Sequence, residues 1–106
     1  MPNNVKTKNN MLFAERIKEL RTRNQMPQRY LAAALDIDTA TYCKIERGAR
    51  KAKKEQVMVL SNLFHVKHEY LLTLWLTDKV SDVIAPDRSV ASDVLSLVKN
   101  ELKYEK

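Results

Sequence analysis

The sequence predicts an all-α protein, a five-helix domain with a C-terminal helical extension. Three observations carry that prediction. The 106 residues include one Gly and three Pro, so turns are few and tight. Aromatic residues make up only 7% of the chain, which leaves an interior built mostly from Leu, Val, Ile and Ala. From residue 11 onward the apolar positions recur at spacings of three and four, the period of a helix face.

Residues 1–10, MPNNVKTKNN, have no periodicity and are expected to form a flexible arm. Leu12, Phe13, Ile17 and Leu20 then mark one face of a first helix, expected to end near Asn24. Pro27 lacks an N–H and disfavours helical geometry at Met26, yet it suits a first helical turn. A second helix is therefore expected to open at about Pro27. Tyr30, Leu31, Ala32 and Leu35 give it two turns before Asp36, Ile37 and Asp38 interrupt the pattern. Asp38 or Thr39 can cap a third helix, whose inward positions are Tyr42 and Ile45. Gly48, the only glycine, follows Lys44, Ile45, Glu46 and Arg47, where a left-handed residue ends the helix without steric cost. Two short helices joined by a short turn outline a helix-turn-helix.

Beyond Gly48, Arg50, Lys51, Lys53 and Lys54 form a basic loop with no acid. Val57, Leu60, Leu63 and Phe64 mark a fourth helix. A fifth is expected from Glu69 to Ile84, with Leu71, Leu72, Leu74, Trp75 and Val80 apolar. Ala85 to Arg88 reads as a turn, with Asp87 as a cap for the last helix. There Val90, Val94, Leu97, Val98 and Leu102 make an apolar stripe on a segment too short to be helical alone in water. The stripe must pack on its own domain or on a second copy. The expected division is an arm over 1–10, a helix-turn-helix domain over 11–76, and a dimerisation or packing extension over 77–106.

Charge is distributed unevenly. The formal net charge is +6, but residues 1–54 carry 13 Lys or Arg against 5 Asp or Glu, and residues 55–106 carry 6 against 8. A basic N-terminal half points to a polyanion, with nucleic acid the first choice. The single cysteine, Cys43, excludes an internal disulfide and multi-cysteine zinc patterns, and fits a reducing cytoplasm. The most apolar window, Tyr70 to Leu76, is too short for a membrane span. One glycine leaves no phosphate-binding loop or dinucleotide fingerprint. Asp78, Asp82, Asp87 and Asp93 show no convergent catalytic partner, and His65 with His68 lacks a third metal ligand. Neither an enzyme, a cofactor nor a metal site is expected.

The stretch MPQRYLAAALDIDTATYCKIERGAR, residues 26–50, resembles the helix-turn-helix of the bacterial and phage repressor family that includes lambda-type repressors and Cro, often called the XRE family. The resemblance covers residues 11–76. Its pattern wants Gln opening the second helix, Ala in its middle, an apolar turn residue and a late Ile followed by an acid, a variable residue and Gly. Gln28, Ala32, Ile37, Ile45, Glu46 and Gly48 supply these. Ala32 is small where two helix axes cross, and Leu31, Leu35, Ile37 and Ile45 would close a core beneath. Three positions depart from the pattern: Pro27 for Ser, Asp36 for Gly, and Tyr42 for a buried Ile or Val, whose hydroxyl then needs a partner.

The resemblance implies a lambda-repressor-like domain and a sequence-specific double-stranded DNA-binding transcriptional regulator acting as a homodimer on operator DNA. It implies Thr39, Ala40 and Lys44 as base readers, with Cys43 at their margin. Gln28, Arg47, Arg50, Lys51, Lys53 and Lys54 would hold phosphates, and Arg21 would pair with Glu46 to brace the first helix against the third. The mildly acidic C-terminal half also fits an alternative, an antitoxin or phage-type adaptor whose main partner is another protein. The compact size resembles controller proteins of restriction and modification systems as well.

Overall fold

The computed structural model describes residues 11–103. Within that range the chain forms α1 (Leu12–Arg23), α2 (Gln28–Ala34), α3 (Thr39–Glu46), α4 (Lys54–Phe64), α5 (His68–Ile84) and α6 (Ala91–Lys103). A 3-10 turn over Ala85–Val90 joins the last two helices, and no strand occurs among the described residues. The expected arm, residues 1–10, lies outside them.

The apolar stripes of α1 to α5 converge on one core. Phe13, Ile17 and Leu20 meet Leu31, Ala32 and Leu35 of α2, Tyr42 and Ile45 of α3, Val57, Leu60 and Phe64 of α4, and Leu71 and Trp75 of α5. Ile17, Leu31, Val57, Leu60 and Leu71 are wholly withdrawn from solvent, each contributing roughly 1.5–3 kcal/mol of transfer free energy. Three inward expectations fail. Leu12, Tyr30 and Val80 are about half exposed, because each lies off the stripe that its helix turns to the core. Trp75 is buried, and its Nε1 donates to the Ala52 carbonyl at 2.9 Å, which fastens the basic loop to α5.

The first four helices all stop in the same way. After α1, α2, α3 and α4 a residue takes a positive φ: Gln25 at 57°, Asp36 at 59°, Gly48 at 79° and His65 at 58°. Each is followed by the paired backbone bonds of a Schellman turn, such as Asp36 N to Ala33 O and Ile37 N to Ala32 O, both 3.0 Å. Left-handed geometry costs a residue with a Cβ about 1–2 kcal/mol. At three of the turns the next residue, Met26, Ile37 or Val66, packs on the core and offsets that cost. The turn after α3 is followed by exposed Ala49 instead. A Cβ on Gly48 would also lie 2.8 Å from Met11 Cε, the movable end of a flexible side chain, so glycine stands where the compensation is lacking.

α1 has no capping side chain of its own at Met11. Asp78 of α5 supplies one. Its Oδ1 accepts from Leu12 N at 3.1 Å and its Oδ2 from Phe13 N at 2.9 Å, with the carboxylate buried at the positive end of the α1 dipole. Asp78 continues the inward row of Leu71 and Trp75, so α5 positions α1 through apolar contact and charge together.

α6 stands apart from this core. Pro86 has no N–H with which to continue α5, and Asp87, at φ −124° and ψ 50°, kinks the following turn. Val90 belongs to that turn rather than to the helix, and none of the α6 side chains is buried. The apolar stripe at Val94, Leu97, Val98 and Leu102 does not fold back onto the domain.

Candidate nucleic-acid interface

The interface is organised around α3. Asp38 caps it, accepting from Thr41 N at 3.2 Å, and hydrogen bonding from the Thr41 side chain, followed by that backbone N–H, holds the Asp38 carboxyl below the usual range. Tyr42, Ile45 and Glu46 point inward, so Thr39, Ala40 and Lys44 fall on the exposed side of the helix. Cys43 and Thr41 sit at its edge, half-buried. Ala32 is buried in α2, which packs more closely on α3 than any other element does.

Four side chains fix the orientation of α3 from beneath. Arg21 of α1 grips Glu46 with two prongs, Nε to Oε2 at 2.7 Å and Nη2 to Oε1 at 3.0 Å, while its Nη1 donates to the Met26 carbonyl at 2.8 Å. The Tyr42 hydroxyl donates to Glu46 Oε2 at 2.7 Å, and Gln28 Nε2 donates to Oε1 at 2.9 Å. Burial alone would favour a neutral Glu46, but the hydrogen bonds from Arg21, Tyr42 and Gln28 outweigh it and hold the carboxyl below its ordinary value. The bond to Glu46 raises the Arg21 guanidinium in turn. Burial pushes the Tyr42 phenol well up, reinforced by its bond to Glu46, so the Tyr42 hydroxyl stays a donor.

Gln28 is engaged at both ends of its amide. Its Oε1 accepts from Cys43 Sγ at 3.2 Å, which joins the first turn of α2 to the middle of α3. Its side chain is therefore a brace in this structure rather than a free phosphate donor. Lys51 is also engaged, in an ion pair with Asp82 of α5. The remaining cations lie open. Lys44, Arg47, Arg50, Lys53 and Lys54 are exposed along the last turn of α3, the loop and the first turn of α4, and none of them forms an ion pair among the described residues. A short helix with a polar outer face, edged by uncompensated cations, can enter a DNA groove while the cations meet phosphate.

A family model described as helix-turn-helix matches residues 17–71, just over half of the chain. The chain belongs to the XRE, Cro and phage-repressor type of helix-turn-helix proteins. Comparison with curated proteins and with solved structures gave no match. A helix-turn-helix protein of this type is a DNA-binding regulator, and its family is a regulatory rather than an enzymatic one. Within it, α2 is the supporting helix and α3 the one presented outward. No helix among the described residues is long and apolar enough to cross a membrane.

Sequence reasoning missed the Asp78 cap and the Lys51 to Asp82 pair. The first left a signal, an acid at the inward spacing of Leu71 and Trp75 on an otherwise apolar face. The second left none, since the two residues are separated by 31 positions and come together only through the fold.

Proposed function

We propose that the chain is a sequence-specific transcriptional regulator that binds operator DNA as a homodimer in a bacterial cytoplasm. The observation that carries this reading is the open outer face of α3, braced by the Glu46 cluster and bordered by five cations that form no ion pair among the described residues. Lys44 donates to guanine O6 and N7, while Ala40 and the Thr39 methyl meet thymine methyls, with Cys43 at the groove margin. Arg47, Arg50, Lys53 and Lys54 hold phosphates on either side. Lys51 joins them only by leaving Asp82, and Gln28 acts through the brace. The bound protein occludes a promoter or recruits at it.

The dimer follows from reach. The eight residues of α3 span about 12 Å and cover only a few base pairs, too few to single out one operator. Two copies related by a two-fold axis double the site, with half-sites about 34–36 Å apart or a multiple of that. The test compares wild type and Lys44→Ala on an operator duplex and on random duplex. A loss of about 1–3 kcal/mol on the operator with little change on random DNA is expected. Equal losses on both would remove Lys44 from the reading of bases.

A further inference from the structure

α5, the kinked turn and α6 enclose an open groove of about 650 Å³, lined on the α5 side by Leu76, Val80 and Ile84 and on the α6 side by Ala91 and Leu95. No side chain among the described residues fills it. Leu76, Val80 and Leu95 are each about half exposed, as are Val90 and Val98, and Leu102 is 67% exposed. Nine large apolar side chains from Leu76 to Leu102 are 38–77% exposed. Those on one side, Leu76, Val80, Leu95, Val98 and Leu102, offer a contiguous apolar surface of roughly a few hundred Å² per copy. An apolar surface of that size on a small soluble domain marks a binding site.

The pattern of α6 selects the occupant. Ala91, Leu95, Val98 and Leu102 follow one another at spacings of four, three and four, which reads the same in both directions. In an antiparallel pair centred between Leu95 and Val98, small Ala91 faces large Leu102 and Leu95 faces Val98, so that large and small alternate across the seam. Ala91 is also a wall of the groove, so the side chain facing it enters the groove. The end of α6 that its own groove does not use is thus complementary to the groove of another copy. A net charge of only −2 over residues 55–106 does little to oppose the association of two such halves.

We propose that a second copy of this chain fills the groove, with α6 packed antiparallel on α6 and Val98 and Leu102 of each copy seated between α5 and α6 of the other. This inference rests on the homodimer reading and names its interface. The arrangement is isologous, so it closes at two copies and leaves both α3 helices free of the contact.

The test uses sedimentation of the full chain without DNA at tens of micromolar, alongside disulfide trapping. Wild type is expected at twice 12.3 kDa, and Leu95→Asp at 12.3 kDa with an unchanged circular dichroism spectrum, since Leu95 is about half exposed in the single copy. In a Cys43→Ser background, a mixture of Ala91→Cys and Leu102→Cys chains is expected to form a mixed disulfide, whereas neither variant links to itself. The two positions lie about 16 Å apart along one helix, beyond the reach of a disulfide in an in-register parallel pairing. This second experiment needs no charged substitution, so it stands if Leu95→Asp fails to fold. A monomeric wild type would overturn the homodimer reading and this inference together. A dimer that survives Leu95→Asp, or self-linking of Leu102→Cys in place of the mixed disulfide, would overturn the interface alone.

Discussion

Glu46→Gln removes one charge and leaves the shape of the side chain almost unchanged, so it isolates the electrostatic part of the brace under α3. The Arg21 side chain, 13% exposed, then has no counter-charge, and two of the four donors now aimed at the carboxylate face an amide NH2 instead, whichever way the amide is turned. Breaking a buried pair by deleting one partner typically costs about 3–5 kcal/mol. The amide retains one acceptor, which places this variant at the lower end, about 3 kcal/mol. Against a total stability of about 5–15 kcal/mol for a domain of this size, that is a large share. With a urea m-value of about 1.5–2 kcal/mol/M, the midpoint should fall by about 1.5–2 M at pH 7. The Glu46 carboxyl titrates lower in the folded chain than its ordinary 4.5, so its contribution is complete above that value and disappears as pH falls through the folded value. The difference between wild type and Glu46→Gln should therefore shrink on acidification. Arg21→Met combined with Glu46→Gln should cost less than the sum of the two single changes, by 1 kcal/mol or more. A loss below about 1 kcal/mol for Glu46→Gln, or strict additivity with Arg21→Met, would refute the brace as an energetic unit.

Lys53→Ala should weaken binding to all duplexes alike and lower the slope of log affinity against log salt by about one, measured by fluorescence anisotropy from 50 to 200 mM salt. Asp78→Ala strips one buried and one part-buried N–H group of their acceptor and should lower stability by about 2–3 kcal/mol in urea unfolding; a loss below 1 kcal/mol would deny it the role of cap. Gly48→Ala meets both a positive φ and Met11, and should cost more than 1 kcal/mol, while Asp36→Gly should be neutral or gain up to about 1 kcal/mol. Thermal melts of both variants check the pair, and a stabilising Gly48→Ala would contradict the account of the only glycine.

The helices were legible in the sequence because period and punctuation agree. Pro27, Asp38, Gly48 and Pro86 mark ends that the structure places within a residue or two, and the rows through Ile17, Leu31, Ile45, Leu60 and Leu71 face the core. The left-handed turns at Gln25 and His65 were not legible, since their stabilising contacts, Met26 and Val66 on the core, are made in three dimensions. The Asp78 cap left one half of its signal, an acid on the inward row of α5, but its partners, 65 and 66 positions away, could not be read. The outward face of α3 could be read from the inward positions of Tyr42 and Ile45, but the double engagement of Gln28 could not, because it depends on the crossing of two helices. Periodicity shows that the α6 stripe must be covered without showing by what, and the kink at Asp87 removes its own domain as the answer.

The central claim is that the open face of α3 reads a base sequence from two copies at once. Selection of bound duplexes from a randomised pool at about 150 mM salt tests it most directly, since nonspecific phosphate contacts are screened there. The account predicts an enriched palindrome whose half-sites lie about one helical turn apart, or a multiple of it, and whose enrichment is lost with Lys44→Ala. Binding without enrichment of any sequence, or no binding at that salt, would contradict it.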